Sequence, residues 1–308
     1  MNLEDWILKY EEYLLMVRNR SVNTVRGYTA DLRLLYKATM AGHADDWSAF
    51  TRQMAIDYVK SLKRQQRDTS VARKVYCFKG FFKFLRREGN AVSNPFEDME
   101  FNRLNRSLPK FFTVDEMNKL LNRIREPLPA FKGIPLQEVY LTVRDRAMLE
   151  ILYSAALRVS ELVGLNWQDV NWSGREVHVL GKGNKERLCP LGQKALDALA
   201  EYAQYYEERF QKKPHGPQPL FISSWNRRIA SRSIPRTIRK WLAAAGIEKE
   251  IGPHGFRHSA ATHMLENGAD LRVIQQLLGH ASISTTEIYT HVGTRRLKAV
   301  HANTHPRA

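Results

Sequence analysis

Cysteine is scarce in this 308-residue chain: Cys77 and Cys189 lie far apart and form no CxxC pair. A disulfide framework is therefore excluded, and a reducing compartment is the simplest reading. No apolar run is long enough to cross a bilayer. The opening residues, MNLEDWILKYEEYLL, are acidic and amphipathic, without the positive start and unbroken apolar run of a signal peptide. The expectation is a cytoplasmic protein with no membrane contact. Internal repeats and low-complexity tracts are absent as well. So is a nucleotide-binding loop, because GKGNK at 181–185 lacks the G-x-x-x-x-G-K-[ST] spacing. Acidic side chains are in deficit, with 32 Asp and Glu against 48 Lys and Arg, for a formal net charge of +16.

That excess favours a polyanionic partner, nucleic acid foremost, although a ribosome-like or membrane-surface protein could share it. It is also spread along the chain. Residues 1–110 carry 20 basic and 13 acidic side chains, and the remainder 28 and 19. A basic tail on a neutral body is thus ruled out. Hydrophobic residues make up 43%, enough for real cores.

Periodicity predicts helices over 3–17, from a Ser21 cap, over 51–65 and over 69–88. From Lys60 to Arg87, ten basic side chains face the single acid Asp68, with Phe78, Phe81, Phe82 and Phe84 interleaved. The aromatics read as core. The charges are too one-sided for a neutral solvated face, which points to phosphate contact, with Lys60, Arg64, Arg73 and Lys74 as candidate DNA-binding residues. Pro95 to Lys110 lacks helical period, so a linker is placed near 100–112, and Thr113 with Glu116 forms a capping box beyond it. Two domains follow, 1–106 and 113–308. The second reads as a buried helix over 138–155, a hairpin over 176–190, helices over 192–211, 232–245, 254–267 and 270–277, and a last helix near 294–302.

Four separated stretches carry unusual polar residues. In ALRVSEL, Arg158 and Glu161 are three apart, which by itself describes an ordinary helix-surface ion pair. In LGKGNKERLCPL, Lys182 sits at a glycine-flanked turn between strands, where basic hairpin tips are common. In HGFRHSAATHML, His254 and Arg257 share a face at a helix start, with His258 and His263 beyond. His254 and His258 have the i, i+4 spacing of a metal pair. However, Arg257 beside them repels a cation, cysteine is not near, and the H-E-x-x-H glutamate is missing, so no metal is assigned. His258 and His263 read as structural. In GHASISTTEIYTH, His280 follows a glycine helix stop and Tyr289 lies toward the end of the next expected helix.

Together, two arginines, a lysine, two histidines and a tyrosine suit a phosphodiester attacked by a phenol. Guanidinium forks grip non-bridging oxygens and keep their charge. Two of them stabilise a phosphorane without metal, each such donor being worth about 2.7–4 kcal/mol. A phenol with a pKa near 10 needs a base or strong cations beside it; histidine can take its proton, and lysine can protonate the leaving 5′ oxygen. A covalent phosphotyrosine conserves the phosphodiester energy, so neither ATP nor another cofactor is required.

These four boxes, in this order and spacing, resemble those of the tyrosine recombinases, the phage-integrase family. The likeness is greatest to the Xer branch with its XerC- and XerD-type members, and SVNTVRGYTADLRLL resembles the family's core-binding domain. The resemblance implies a mostly α chain with a small β-sheet in the second domain, folded as a two-domain, C-shaped DNA clamp. Residues 1–106 would be the helical, SAM-like core-binding domain and 113–308 the catalytic domain. It implies that Arg158 and Arg257 grip the phosphate, Lys182 is the general acid and His254 an acid–base residue. His280 would bond the scissile phosphate, Tyr289 would be the nucleophile, and Glu161 would support the site. It further implies site-specific recombination through a 3′-phosphotyrosine and the resolution of chromosome dimers at cell division. The assembly would be a tetramer on two double-stranded DNA sites, with a second Xer recombinase and a septal DNA translocase as candidate partners and helix 294–302 docked into a neighbour. Two departures stand out: the 124–142 connection is long, and Ala156 stands where Gly is common. The alternatives are a mobile-element integrase, which often carries an arm-binding domain that a helical pattern starting at residue 3 leaves no room for, a DNA-binding protein without catalysis, and a metal-dependent phosphohydrolase.

Overall fold

The computed structural model describes residues 2–40, 46–91, 93–101, 110–125, 133–181, 186–279 and 291–308. The chain divides into two compact units, Met1–Ser107 and Leu108–Ala308.

Among the described residues the first unit has four α-helices, α1 (Leu3–Glu12), α2 (Val22–Thr39), α3 (Arg52–Gln65) and α4 (Asp68–Arg87), with a π-helical turn at Tyr13–Val17 and a 3-10 turn at Trp47–Ala49. Ser21 caps α2 as expected, its Oγ accepting from the Thr24 N–H at 3.3 Å. The aromatics of the basic run are core. Phe78, Phe81 and Phe82 are fully buried, and Trp47 meets the rings of Phe81 and Phe82 edge-on at 5.1 and 5.7 Å. Edge-to-face pairs of this kind add about 0.5–1.5 kcal/mol beyond area burial.

The second unit is built on α6 (Leu136–Ser154), which is buried nearly all round and so behaves as the central helix of its layer. Around it are α5 (Val114–Arg125), α7 (Val159–Gly164), α8 (Gln193–Phe210), α9 (Ser233–Ala244), α10 (Pro253–Glu266), α11 (Leu271–Leu278) and α12 (His291–Thr304). The expected capping box opens α5: Thr113 Oγ1 accepts from Glu116 N at 3.2 Å, and Glu116 Oε2 accepts from Thr113 N at 2.8 Å. The buried charges of α6 are paired, Arg144 with Asp145 at 2.6 Å, Arg146 with Glu201 and Glu150 with Arg307.

The predicted hairpin is β2 (Glu176–Leu180) paired antiparallel with β3 (Glu186–Pro190), in the register Val177↔Cys189 and Val179↔Arg187. A third strand, β1 (Val170–Asn171), pairs with β2; two residues are too few to give an alternation in sequence.

Helix α12 and the residues after it pack on their own unit. Leu297 is buried, His301 Nε2 lies 2.9 Å from Ser154 O, and Arg307 closes on Glu150 with Nε 2.9 Å from Oε2. The physical cause is a buried carboxylate on α6 whose counter-ion comes from the C-terminal segment. Of the long 124–142 connection, residues 126–132 lie outside the described residues.

Candidate active site

The site is built where α6 stops. Ala155 ends the helix, the Ala156 N–H donates to Tyr153 O and the Leu157 N–H to Leu152 O, both at 3.2 Å. This is a Schellman closure, which calls for a left-handed residue at the Ala156 position. Ala156 adopts it, with φ of +48°, where glycine is the low-cost choice. The break means that Arg158 and Glu161 do not share a helix face, as their spacing suggested. Arg158 is instead the extended N-cap of α7.

Glu161 is the hub. Its Oε2 accepts from the Arg158 N–H at 2.8 Å and its Oε1 from Arg158 Nη1 at 2.7 Å. Arg187 of β3 holds the same carboxylate with both ends of its fork, Nη1 to Oε1 at 2.9 Å and Nη2 to Oε2 at 2.8 Å. Arg257 of α10 lies 3.9 Å from Oε2. It donates Nη1 to the carbonyl of Ala156 at 2.7 Å and Nη2 to the carbonyl of Leu278. The strained residue thus presents its carbonyl to an arginine.

Electrostatics follow from this crowding. Burial alone would raise the Glu161 carboxyl, but hydrogen bonds from Arg187 and the Arg158 backbone, with the Arg187 charge, hold it at about 2. Burial, then repulsion from Arg158, pulls the Arg257 guanidinium down to about 10. It is still charged at neutral pH. Burial raises the Cys189 thiol to about 11, so this fully buried cysteine is a neutral core group rather than a nucleophile. Arg158 is the most open of the three arginines, with 32% of its side chain exposed.

His254 is exposed in the first turn of α10, which opens with Gly252 as N-cap and Pro253 behind it. The start of α10 folds tightly over the segment that leads into it because residue 255 is glycine: a Cβ there would fall 1.9 Å from Ile251 Cγ2. His263 is structural. Its Nε2 donates to Phe112 O at 2.8 Å, so Nδ1 accepts from Tyr153 Oη at 2.7 Å. His258 stands edge-on to Phe111 at 5.8 Å. Lys182, His280 and Tyr289 lie outside the described residues. Lys182 falls in sequence between β2 and β3, and His280 directly follows Gly279. The structure therefore brings Arg158, Glu161 and Arg257 together and adds Arg187, which sequence reasoning passed over inside KERLCPL.

Residues 110–296 match the model of the Phage integrase family, and residues 7–89 that of the Phage integrase, N-terminal SAM-like domain. The chain belongs to the phage integrase family. It is 34% identical to Tyrosine recombinase XerC of Syntrophus aciditrophicus (strain SB) over 99% of each chain. It is 38% identical to Tyrosine recombinase XerD of Halalkalibacterium halodurans over 94% of each. Its fold is similar to the crystal structure of XerH site-specific recombinase bound to palindromic difH substrate in a post-cleavage complex. That likeness has a TM-score of 0.67 at 18% identity and covers 95% of this chain and 83% of that one.

For an integrase-family chain the open basic surfaces matter, and here one expectation needs correction. Lys74 is buried, and its ammonium lies 3.4 Å from the buried Asp31. It is an interior ion-pair partner, not part of an open phosphate-contacting face. Arg73 is half-exposed and shares Asp31 at 2.7 Å, whereas Lys60 and Arg64 are exposed on α3. The exposed stripe of α4 runs instead through Tyr76, Lys83 and Arg87. With Arg18, Arg20 and Tyr28 it lines a cleft of 540 Å³. The Arg87 guanidinium stacks on Tyr13 at 4.3 Å. In the second unit, Arg232, Arg236 and Arg239 are exposed at helical spacing on and just before α9. Their i, i+4, i+7 pattern was the missed signal.

Proposed function

We propose that this chain is a site-specific DNA recombinase that cuts and rejoins DNA through a 3′-phosphotyrosine. The observation that carries the reading is the Glu161 hub. It orders Arg158 beside Arg257 at one point, in a chain whose sequence also supplies Lys182, His254, His280 and Tyr289 at the family's motif positions. In the proposed reaction the Tyr289 phenol oxygen attacks the scissile phosphorus and the bond to the 5′ oxygen breaks. Lys182 supplies the proton to that leaving oxygen, and His254 takes part in the proton transfers. Arg158, Arg257 and His280 hold the non-bridging oxygens as negative charge builds. A 5′-hydroxyl from the second duplex then attacks the phosphotyrosine, restores a phosphodiester and frees the phenol. Bond energy is conserved, so no ATP enters the balance.

The finer reading is chromosome-dimer resolution in the cytoplasm, because relatives matched over 99% of this chain are named XerC and XerD. The assembly would be a tetramer on two duplex sites, with a second Xer recombinase and a septal DNA translocase as partners. Among the described residues no helix is long and apolar enough to cross a membrane. DNA contact is assigned to the α4 cleft and to the Arg232–Arg239 face, both of which present several basic groups to one side.

Covalent trapping tests this. The protein is incubated with nicked suicide duplexes from candidate chromosome-terminus sequences, with EDTA present, and run on a denaturing gel. An adduct that disappears in Tyr289→Phe, while DNA binding persists, is the expected result. Absence of an adduct on a duplex that the protein binds, even with a candidate partner recombinase added, would leave the non-catalytic DNA-binding alternative standing.

A further inference from the structure

We infer that Arg187 is a positioning residue of the cleavage reaction, acting through Glu161 on Arg158 and through the carbonyl end of α11 on Arg257. The inference rests on the roles proposed above for Arg158 and Arg257.

Arg187 is held from three directions. On β3 it faces the same side as Cys189, and its side chain is buried. Both ends of its fork go to Glu161 of α7, and its Nε donates to Leu277 O at 3.2 Å. The next carbonyl, Leu278 O, takes Arg257. The last carbonyls of α11 have no partner within their own helix, so two arginines satisfy them and fix that helix end. Beyond it, Gly279 turns left-handed, at φ of +60°, against the Arg187 side chain, where a Cβ would lie 3.1 Å from Cδ. His280 is the following residue. One buried side chain therefore ties the Arg158 cap to the helix end that holds Arg257.

Charge gives the second half of the argument. One carboxylate faces three guanidiniums, which leaves a formal excess of two positive charges. A phosphodiester carries one negative charge and its phosphorane two. Arg187 engages both oxygens of Glu161, so the carboxylate can orient Arg158 without drawing Arg257 in from 3.9 Å. Without Arg187 the whole carboxylate charge falls on the two phosphate-gripping arginines, and the excess drops to one. Buried as it is, Arg187 does this without touching DNA.

The test uses full-length protein, Arg187→Met and Arg187→Lys, on a nicked suicide duplex that the wild type cleaves. A matched duplex carries an uncharged methylphosphonate at the scissile position. Binding is read by gel shift and adduct formation under single turnover. Arg187→Met is expected to bind within about twofold of wild type and to form adduct at least tenfold more slowly on the phosphodiester. Its deficit on the methylphosphonate should be at most threefold, because the neutral centre needs less positive charge. Arg187→Lys keeps the charge but not the fork, so it should lose less than Arg187→Met on the phosphodiester, with a smaller gap between its deficits on the two duplexes. A wild-type rate for Arg187→Met, or equal deficits on the two duplexes, overturns the inference. If Arg187→Met does not fold, Arg187→Gln, which is also uncharged but keeps a hydrogen-bond donor for Glu161, decides by the same comparison. Failure of the underlying reading is distinguishable, since Arg158→Ala would then cleave like wild type.

Discussion

Glu161 accepts from the Arg158 guanidinium at 2.7 Å and simultaneously from both ends of the Arg187 fork at 2.8 and 2.9 Å. A carboxylate so held is a stability device as well as a site component. Its folded-state pKa of about 2 lies below its ordinary 4.5. A depressed carboxyl contributes stability that is present above the unfolded value and lost as pH falls toward the folded one. The window is therefore pH 4.5 down to 2, and the contribution is of the order of 3 kcal/mol. Glu161→Gln should be less stable than wild type at pH 6, and the gap in urea-unfolding free energy should close as pH is lowered through that window. A gap that stayed constant would mean that the Glu161 charge is not what the fold uses.

Lys74 and Lys83 of α4 give contrasting expectations for DNA affinity. Lys74 is committed to Asp31, so Lys74→Met should leave the dissociation constant within about twofold. Lys83 is exposed on the cleft wall, so Lys83→Ala should weaken binding severalfold. It should also reduce the slope of log K against log salt by about 0.9, the value for one lost phosphate contact. Arg18→Ala should behave like Lys83→Ala. Gel-shift titrations at several salt concentrations measure all three, and a strong effect of Lys74→Met without Lys83→Ala would reverse the assignment.

Much of this was legible in the sequence because it rests on short-range rules. Ser21 and the Thr113–Glu116 pair announce helix starts through side-chain bonds three residues long. The hairpin over 176–190 shows as alternation around a glycine turn, and the aromatics of α4 repeat at core spacing. Other features depend on partners far away in the chain. Nothing local distinguishes Lys74 from Arg73; its fate is set by Asp31 on α2, two helices earlier in the chain. Arg187 looks like any strand arginine until α7 folds Glu161 over it. The Arg158–Glu161 spacing fits a helix face, yet the Schellman turn at Ala156 places Arg158 outside the helix. Likewise, the docking of α12 on its own unit depends on Glu150, more than a hundred and fifty residues before Arg307.

Ala156 is the next point of leverage. A left-handed alanine costs roughly 1–2 kcal/mol. Replacing it with glycine relieves that strain but gives up a buried methyl worth about 0.8 kcal/mol and adds unfolded-state entropy of about 0.4–1 kcal/mol. The terms nearly cancel, so Ala156→Gly should change stability by less than about 1 kcal/mol and leave adduct formation intact. Ala156→Val is different: a β-branched residue is far less tolerant of positive φ, and the site is fully buried. It should cost about 2–5 kcal/mol. By displacing the carbonyl that holds Arg257, it should also slow adduct formation more than DNA binding. Thermal melts and single-turnover assays on both variants separate these expectations.

The C-terminal segment should loosen in mild acid. His305 lies between the Tyr153 and His301 rings, at 4.6 and 4.7 Å, and its Nδ1 accepts from the Arg307 N–H at 3.2 Å. The groups facing this cluster are Tyr153 and Glu150 of α6, His263 of α10, His301 of α12, and Arg175 and Arg307. Burial first, then the neighbouring cationic groups, lowers His305 well below its ordinary value, and burial lowers His301 and His263. A histidine with a depressed folded pKa stabilises the fold fully above its unfolded value of about 6.5, and that contribution fades as pH falls below it. Melting temperature should therefore decline between pH 7.5 and 5.5, with hydrogen exchange rising first in residues 301–308. His305→Phe keeps the ring stack without the proton and should flatten that decline. Arg307→Ala strands the buried Glu150 carboxylate and should cost about 3–5 kcal/mol at neutral pH. If it is nearly neutral instead, the C-terminal segment does not hold Glu150 in solution and lies elsewhere, with a second copy of the chain as the place to look.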